Sequence, residues 1–340
     1  MGIGILGGIV LVLIGGVLNG SFALPMKKLP AWRWENTWLV YAIFGTLVVP
    51  WLLALLSVPH LMGVYHQAGW RTLILVALFG LGWGIGSTLF GLGIDRVGMA
   101  LGFTVILGIT AGLGSLLPLA ILHPGQLLTR QGYALAAGLL LIVLGIVFSS
   151  IAGRRREQEH SSESHQKASS SFRLGLVICV FSGILSAMLN FSFVFGGELQ
   201  RLSLAAGASS KMAANAIWAL ALTAGFLPNA AYCFYLLRKN KTWSTFLAPD
   251  AAVKYWLGAV VMGVVWFGGI AFYGFGAVVL GALGGIVGWP LFLSANIMTA
   301  NVLGAATGEW KDSTSRTYAY SWIGIAILIA AIFVISRGAS

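Results

Sequence analysis

The sequence predicts an all-α polytopic membrane protein, ten transmembrane helices arranged as two inverted-topology five-helix repeats. Three observations lead there. Of its 340 residues, 58% are hydrophobic and only 9% charged, whereas a soluble domain is about 25% charged. The mean hydropathy is +0.91. Long runs pass without any Asp, Glu, Lys or Arg, too long and too evenly apolar for the alternating strands of a barrel. Such a composition excludes a soluble globular enzyme, and 46 glycines without a Gly-X-Y period exclude collagen.

The helices follow in order from the charge-free runs. Helices one to seven fall in residues 1–26, 36–70, 72–94, 97–129, 131–153, 174–197 and 212–237. A span needs about 20 residues at about 1.5 Å each. The run 255–308 is therefore long enough for helices eight and nine, with a break expected near Gly274-Phe275-Gly276, and helix ten occupies 317–336. The first run opens without a basic stretch and is long enough to span, so it reads as a helix rather than a cleaved signal.

Between helices five and six the composition changes. Residues 154–171 begin with Arg154-Arg155-Arg156 and end with Ser169-Ser170-Ser171, and read as a polar, solvated, cytoplasmic linker. The first five-helix repeat is residues 1–153 and the second residues 172–340. His160 and His165 belong to the linker, and no Cys or further His joins them as a metal site would require. Cys179 and Cys233 lie within apolar runs and read as small core residues. No cofactor or metal is expected.

A shift of 183 residues aligns Trp83 with Trp266, Gly86 with Gly269, Gly91 with Gly274, Gly98 with Gly281 and Gly102 with Gly285. A shift of 167 aligns Gly16-Val17-Leu18 with Gly183-Ile184-Leu185. With an odd number of helices per repeat, the second half enters the membrane upside down relative to the first. That is the plan of many secondary transporters, whose substrate site lies near the midplane between the repeats.

Orientation comes from Lys and Arg. Fifteen of the 20 fall in the connections after helices one, three, five, seven and nine. These connections should be cytoplasmic, which puts both termini in the periplasm. The net charge of +11 thus reflects topology, and nucleic acid is not an expected partner.

Gly80, Gly84 and Gly82, Gly86 form two smooth faces on helix three, read as close-packing surfaces toward two neighbours. Polar residues inside spans are more informative, since in lipid they must face the bundle or a wet cavity. Helix one offers Asn19. Helix six carries Ser182, Ser186 and Asn190 at four-residue spacing, and helix seven a stripe with Asn215, Trp218 and Asn229. Helix nine carries Ser294, Asn296, Thr299 and Asn301. For each amide, interhelical bonding competes with substrate contact. Amides, hydroxyls and indoles suit a neutral polyol better than an ion, so Trp83, Trp218, Trp266 and Trp289 are candidate platforms for a sugar. The substrate-binding set is Asn19, Trp83, Asn190, Asn215, Trp218, Trp266, Trp289 and Asn296. No nucleophile–base pair or metal-binding His pair occurs in the spans, which speaks against an enzyme.

The segment Pro25-Met26-Lys27-Lys28, Trp32-Arg33-Trp34-Glu35 and Trp38 is followed by Trp83-Gly84-Ile85-Gly86, Gly91-Leu92, Gly98-Met99, Trp289 and Glu309-Trp310. In these motifs the chain resembles the L-rhamnose–proton symporter family of the drug/metabolite transporter superfamily, most densely over residues 15–120. The resemblance implies a bacterial inner-membrane importer of L-rhamnose or a related deoxyhexose, driven by protons. It also implies that helices five and ten are peripheral to the cavity. Around Ser87-Thr88 and in helix six the polar residues depart from the family pattern. Proton coupling calls for a titratable group, and Glu309, then Asp95, are the candidates at helix ends. The expected partners are the sugar, protons and the lipid bilayer. The alternatives are an exporter, exchanger or facilitator of another metabolite on the same fold, and a receptor that binds without moving its ligand.

Overall fold

Main-chain N–H and C=O groups in lipid need internal partners, and an uninterrupted apolar run supplies them as a helix. The charge-free runs fold accordingly in the structure, a computed structural model that describes residues 3–160, 169–247, 253–308, 310–311 and 313–338. Among the described residues there is no strand, and ten helices are long and apolar enough to cross a membrane. They are α1 (Gly4–Lys28), α2 (Trp34–Ser57), α3 (Leu61–Val97), α4 (Leu101–Leu122) and α5 (Arg130–Arg156) in the first half. The second half holds α6 (Phe172–Ala205), α7 (Asn215–Lys239), α8 (Val253–Val279), α9 (Gly281–Ala306) and α10 (Ser315–Arg337).

Irregularities have local causes. Pro50 brings no N–H to the helical ladder, and the turns before it, Ile43–Val48, widen to π-helical pitch. α3 kinks at Gly69, whose φ of 73° is open to glycine and costly for other residues. Residues 61–68, from the same charge-free run as α2, thereby become a short first leg of α3.

Two expectations need correction. The break in the run 255–308 is not at Gly274-Phe275-Gly276 but at Gly281, where φ reaches 80° and a short 3₁₀ turn, Gly281–Leu283, follows. Gly274 and Gly276 instead admit close neighbours. A Cβ on Gly274 would lie 2.7 Å from Trp218 Nε1, and one on Gly276 2.5 Å from Gly8 O. The linker also begins later than its composition suggests, because the fifth helix continues to His160. Glu159 accepts hydrogen bonds from Thr314 N (3.0 Å), Thr314 Oγ1 (2.6 Å) and Thr317 Oγ1 (2.7 Å), and so caps the start of α10. Residues 161–168, with His165, lie outside the described residues.

The helix pairings repeat when each helix is exchanged for the one five later. α3 packs on α6 and α7, while α8 packs on α1 and α2; α4 packs on α6, and α9 on α1. Glycines set these contacts. On α3, a Cβ at Gly80 would lie 2.0 Å from Ala221 O and one at Gly84 2.3 Å from Gly225 O, both on α7. One at Gly82 would meet Met188 Sδ at 2.1 Å and one at Gly86 Ser186 N at 2.8 Å, both on α6. The two smooth faces do serve two neighbours. Gly15 and Gly269 oppose each other in the same way between α1 and α8. Cys179 and Cys233 are fully buried.

Candidate functional site

The glycine-mediated contacts leave a cavity of about 700 Å³ in the middle of the bundle. Its walls come from α1 to α6, α8 and α9, and no residue of α7 or α10 lines it. α10 is peripheral, as the resemblance implied. α5 is not, because Ile146, Ser150, Gly153 and Arg156 form part of the wall.

Trp83 and Trp266, matched by the offset of 183, meet face to face here. Their rings stack with centroids 5.3 Å apart and planes 24° from parallel. Asn19 lies beside them and donates from Nδ2 to Trp266 O at 3.5 Å. Asn296 crosses from α9 and donates from Nδ2 to Asn19 Oδ1 at 2.6 Å. Trp289 also lines the cavity; its Nε1–H is spent on Thr110 O (3.2 Å) and its ring stacks on Phe292. The structure thus brings Asn19, Trp83, Trp266, Trp289 and Asn296 together around one space.

Asn190, Asn215 and Trp218 stand outside it. Asn190 is fully buried and donates to Gly114 O (2.7 Å) and Gly285 O (2.9 Å), while its Oδ1 accepts from Tyr273. One amide therefore ties α4, α6, α8 and α9. Asn215 donates to Ser57 Oγ at 2.8 Å. Trp218 is fully buried and stacks on Phe193 with centroids 5.4 Å apart. The stripe on α6 splits three ways: Ser182 donates to Gly86 O, Ser186 lines the cavity, and Asn190 is tied to protein. Asp95 sits exposed at the end of α3, away from the cavity lining. Glu309 lies outside the described residues, though its neighbour Trp310 lines the cavity.

Several lining residues escaped the sequence-based set. Trp38 and Lys27 sit within the Pro25 to Trp38 motif. Ser87, next to Thr88, and Thr110, between Thr104 and Ser115, are hydroxyls in otherwise apolar helices, a signal that was legible in principle. Lys27 and Arg156 stand near the ends of α1 and α5. Lys27 Nζ donates to Thr307 Oγ1 at 2.6 Å, and the Arg156 guanidinium lies 5.8 Å from the Trp310 ring centre. Among the described residues no carboxylate lines the cavity. Glu35 is buried elsewhere; it accepts from Asn240 Nδ2 (3.0 Å) and Thr242 Oγ1 (2.8 Å), pinning the start of α2 to the connection after α7. Stacked indoles beside paired amides can hold a neutral, hydroxylated ring through its C–H face and its oxygens.

Comparison with known proteins agrees with this chemistry. The family model described as L-rhamnose-proton symport protein (RhaT) matches residues 1–340. The L-rhamnose-proton symporter of Cronobacter sakazakii is 27% identical over 337 residues, covering 97% of each chain. That of Klebsiella pneumoniae subsp. pneumoniae is 28% identical over 332 residues, covering 96% of each. That of Yersinia pestis is 26% identical over 337 residues, covering 97% of each.

Proposed function

Because this chain belongs to the L-rhamnose-proton symport protein family, we propose that its central cavity takes L-rhamnose or a related deoxyhexose and carries it inward with a proton. The protein is a multi-pass bacterial inner-membrane transporter and not an enzyme. The observation that carries the sugar assignment is the stacked Trp83–Trp266 pair beside the Asn19–Asn296 pair. A deoxyhexose lays its C–H face and methyl group on the indoles and turns its hydroxyls to the amides.

Transport proceeds by alternating access between two inverted five-helix repeats. Support comes from the exchange pattern of the helix pairings and from the placement of Trp83 and Trp266 in one cavity. The excess of Lys and Arg after odd-numbered helices puts both termini in the periplasm and the Lys27–Arg156 end of the cavity toward the cytoplasm. A cysteine introduced between α5 and α6, within residues 161–168, should then resist an impermeant thiol reagent in intact cells, and ready labelling would reverse the orientation. For proton coupling, Glu309 comes first because Trp310 beside it lines the cavity, and Asp95 second.

A facilitator or exchanger is the second reading, favoured by the absence of a carboxylate among the described lining residues. Reconstituted protein decides between them. Counterflow across a sugar panel identifies the substrate, and accumulation under an imposed pH gradient identifies coupling. Glu309→Gln should abolish accumulation and spare counterflow. If Glu309→Gln and Asp95→Asn both still accumulate sugar, neither acid is the coupling site. An unmodified protein indifferent to pH would make the second reading correct.

A further inference from the structure

α7 contributes nothing to the cavity lining, yet one of its side chains grips the wall from behind. Asn229 is 6% exposed. Its Oδ1 accepts from Trp38 Nε1 at 3.2 Å, and its Nδ2 donates to Ser87 Oγ at 2.9 Å and to Gly225 O at 3.0 Å. Trp38 on α2 and Ser87 on α3 both line the cavity. Ser87 Oγ in turn donates to Gly84 O at 2.9 Å.

The valences of this unit are nearly all used. Both N–H groups of Asn229 are engaged and its oxygen holds the indole. Trp38 has spent its only donor, so it offers a ligand its ring. Ser87 has given its proton to a main-chain carbonyl and one lone pair to Asn229, which leaves one lone pair toward the cavity. The longer Ser87 Oγ to Asn229 Oδ1 approach, 3.3 Å, would have to displace the Gly84 bond to turn the hydroxyl round.

We propose that Asn229 is the positioning residue of this wall and makes it selective for hydrogen-bond polarity: a sugar hydroxyl that reaches Ser87 binds there as the donor. The inference rests on the sugar reading above. It accounts for a buried amide on a helix outside the cavity and for the hydroxyl in the Ser87-Thr88 segment. It also separates a hydroxyl from fluorine, since C–F accepts weakly and donates nothing.

The test uses purified full-length protein and calorimetric titration with L-rhamnose, its monodeoxy analogues and its monodeoxyfluoro analogues. At one ring position the deoxy and fluoro sugars should both bind more weakly than the parent by the same factor, about three- to ten-fold, as expected for one lost hydrogen bond. In Ser87→Ala that position should become indifferent. Asn229→Leu should weaken the parent sugar by a similar factor, and add nothing on a Ser87→Ala, Trp38→Phe background, because it acts through those two side chains. Fluoro analogues that match the parent at every position would overturn the inference, as would an equal Asn229→Leu penalty on that background. Should Asn229→Leu not fold, the analogue series on the unmodified protein decides alone. Counterflow that fails with every sugar overturns the sugar reading and this inference with it. Counterflow that persists while the polarity pattern is absent overturns this inference only.

Discussion

Asn190 distinguishes a side chain that binds substrate from one that closes the bundle. Replacing it with Leu keeps the approximate volume and removes three hydrogen bonds, to Gly114 O, Gly285 O and Tyr273. Interhelical bonds in a membrane average about 0.6 kcal/mol, which sets a lower limit of about 2 kcal/mol for three. Partners stranded in a dry interior cost about 1–3 kcal/mol each, which raises the upper limit. Tyr273 has a fallback acceptor, Gly285 O at 3.3 Å, so two of the three stranded groups recover one another and Gly114 O alone stays unsatisfied. The expected loss is thus about 2–4 kcal/mol of stability. Tyr273→Phe, which strands only Asn190 Oδ1, should cost about 1–2 kcal/mol. Thermal melting in detergent, followed by fluorescence-detected size exclusion, reads the loss, and titration of the surviving folded fraction reads affinity. Both variants should melt earlier while binding sugar within about two-fold of the parent, because the amide does not line the cavity. An unchanged melt with many-fold weaker binding would refute this reasoning and make Asn190 a ligand contact.

Asn296→Leu should do the reverse. It strips the donor from Asn19 and a partner from the ligand, so the dissociation constant should rise several-fold in a binding titration. Gly84→Ala places a methyl 2.3 Å from Gly225 O and should cost about 1–3 kcal/mol by melting. Gly91→Ala, with nothing within 4 Å of its Cβ, should fall within about 0.5 kcal/mol of the parent. The hydrogen bonds from Thr314 and Thr317 hold the Glu159 carboxyl at a pKa of about 2, below its ordinary 4.5. A lowered pKa stabilises the fold above pH 4.5 and the benefit drains away as pH falls toward 2. Melts of the parent across that window should therefore decline with acid more steeply than those of Glu159→Gln, and parallel curves would dismiss the cap.

The span count was legible because lipid leaves the backbone no choice. A run of about 20 apolar residues must be helical whatever its neighbours do. The glycine faces of α3 were legible for a related reason, since a missing Cβ is a local property with one geometric consequence. Boundaries were less so. Gly274 and Gly281 look alike in sequence, yet one receives Trp218 and the other adopts a φ of 80°. Only the neighbouring helix distinguishes a contact glycine from a turn glycine. Residues 154–160 looked like linker by composition and fold as helix because Glu159 meets the start of α10.

The candidate site divides the same way. Periodicity put Ser186 and Asn190 on one stripe of α6, and it could go no further. A polar group in a span must find a partner, but whether that partner is protein or substrate depends on which carbonyls lie opposite. Asn190 found Gly114 O and Gly285 O, while Ser186 came to rest beside open space. Asn229 is the sharpest case, since it belongs to the site through Trp38 and Ser87 without touching the cavity. The sequence by itself determined the solvent, the number of spans, the family and the pairing of Trp83 with Trp266, because these rest on composition, run length and direct residue matches. The tertiary structure decided which buried amides still have a hydrogen bond to offer a ligand, because that is a property of what packs against them.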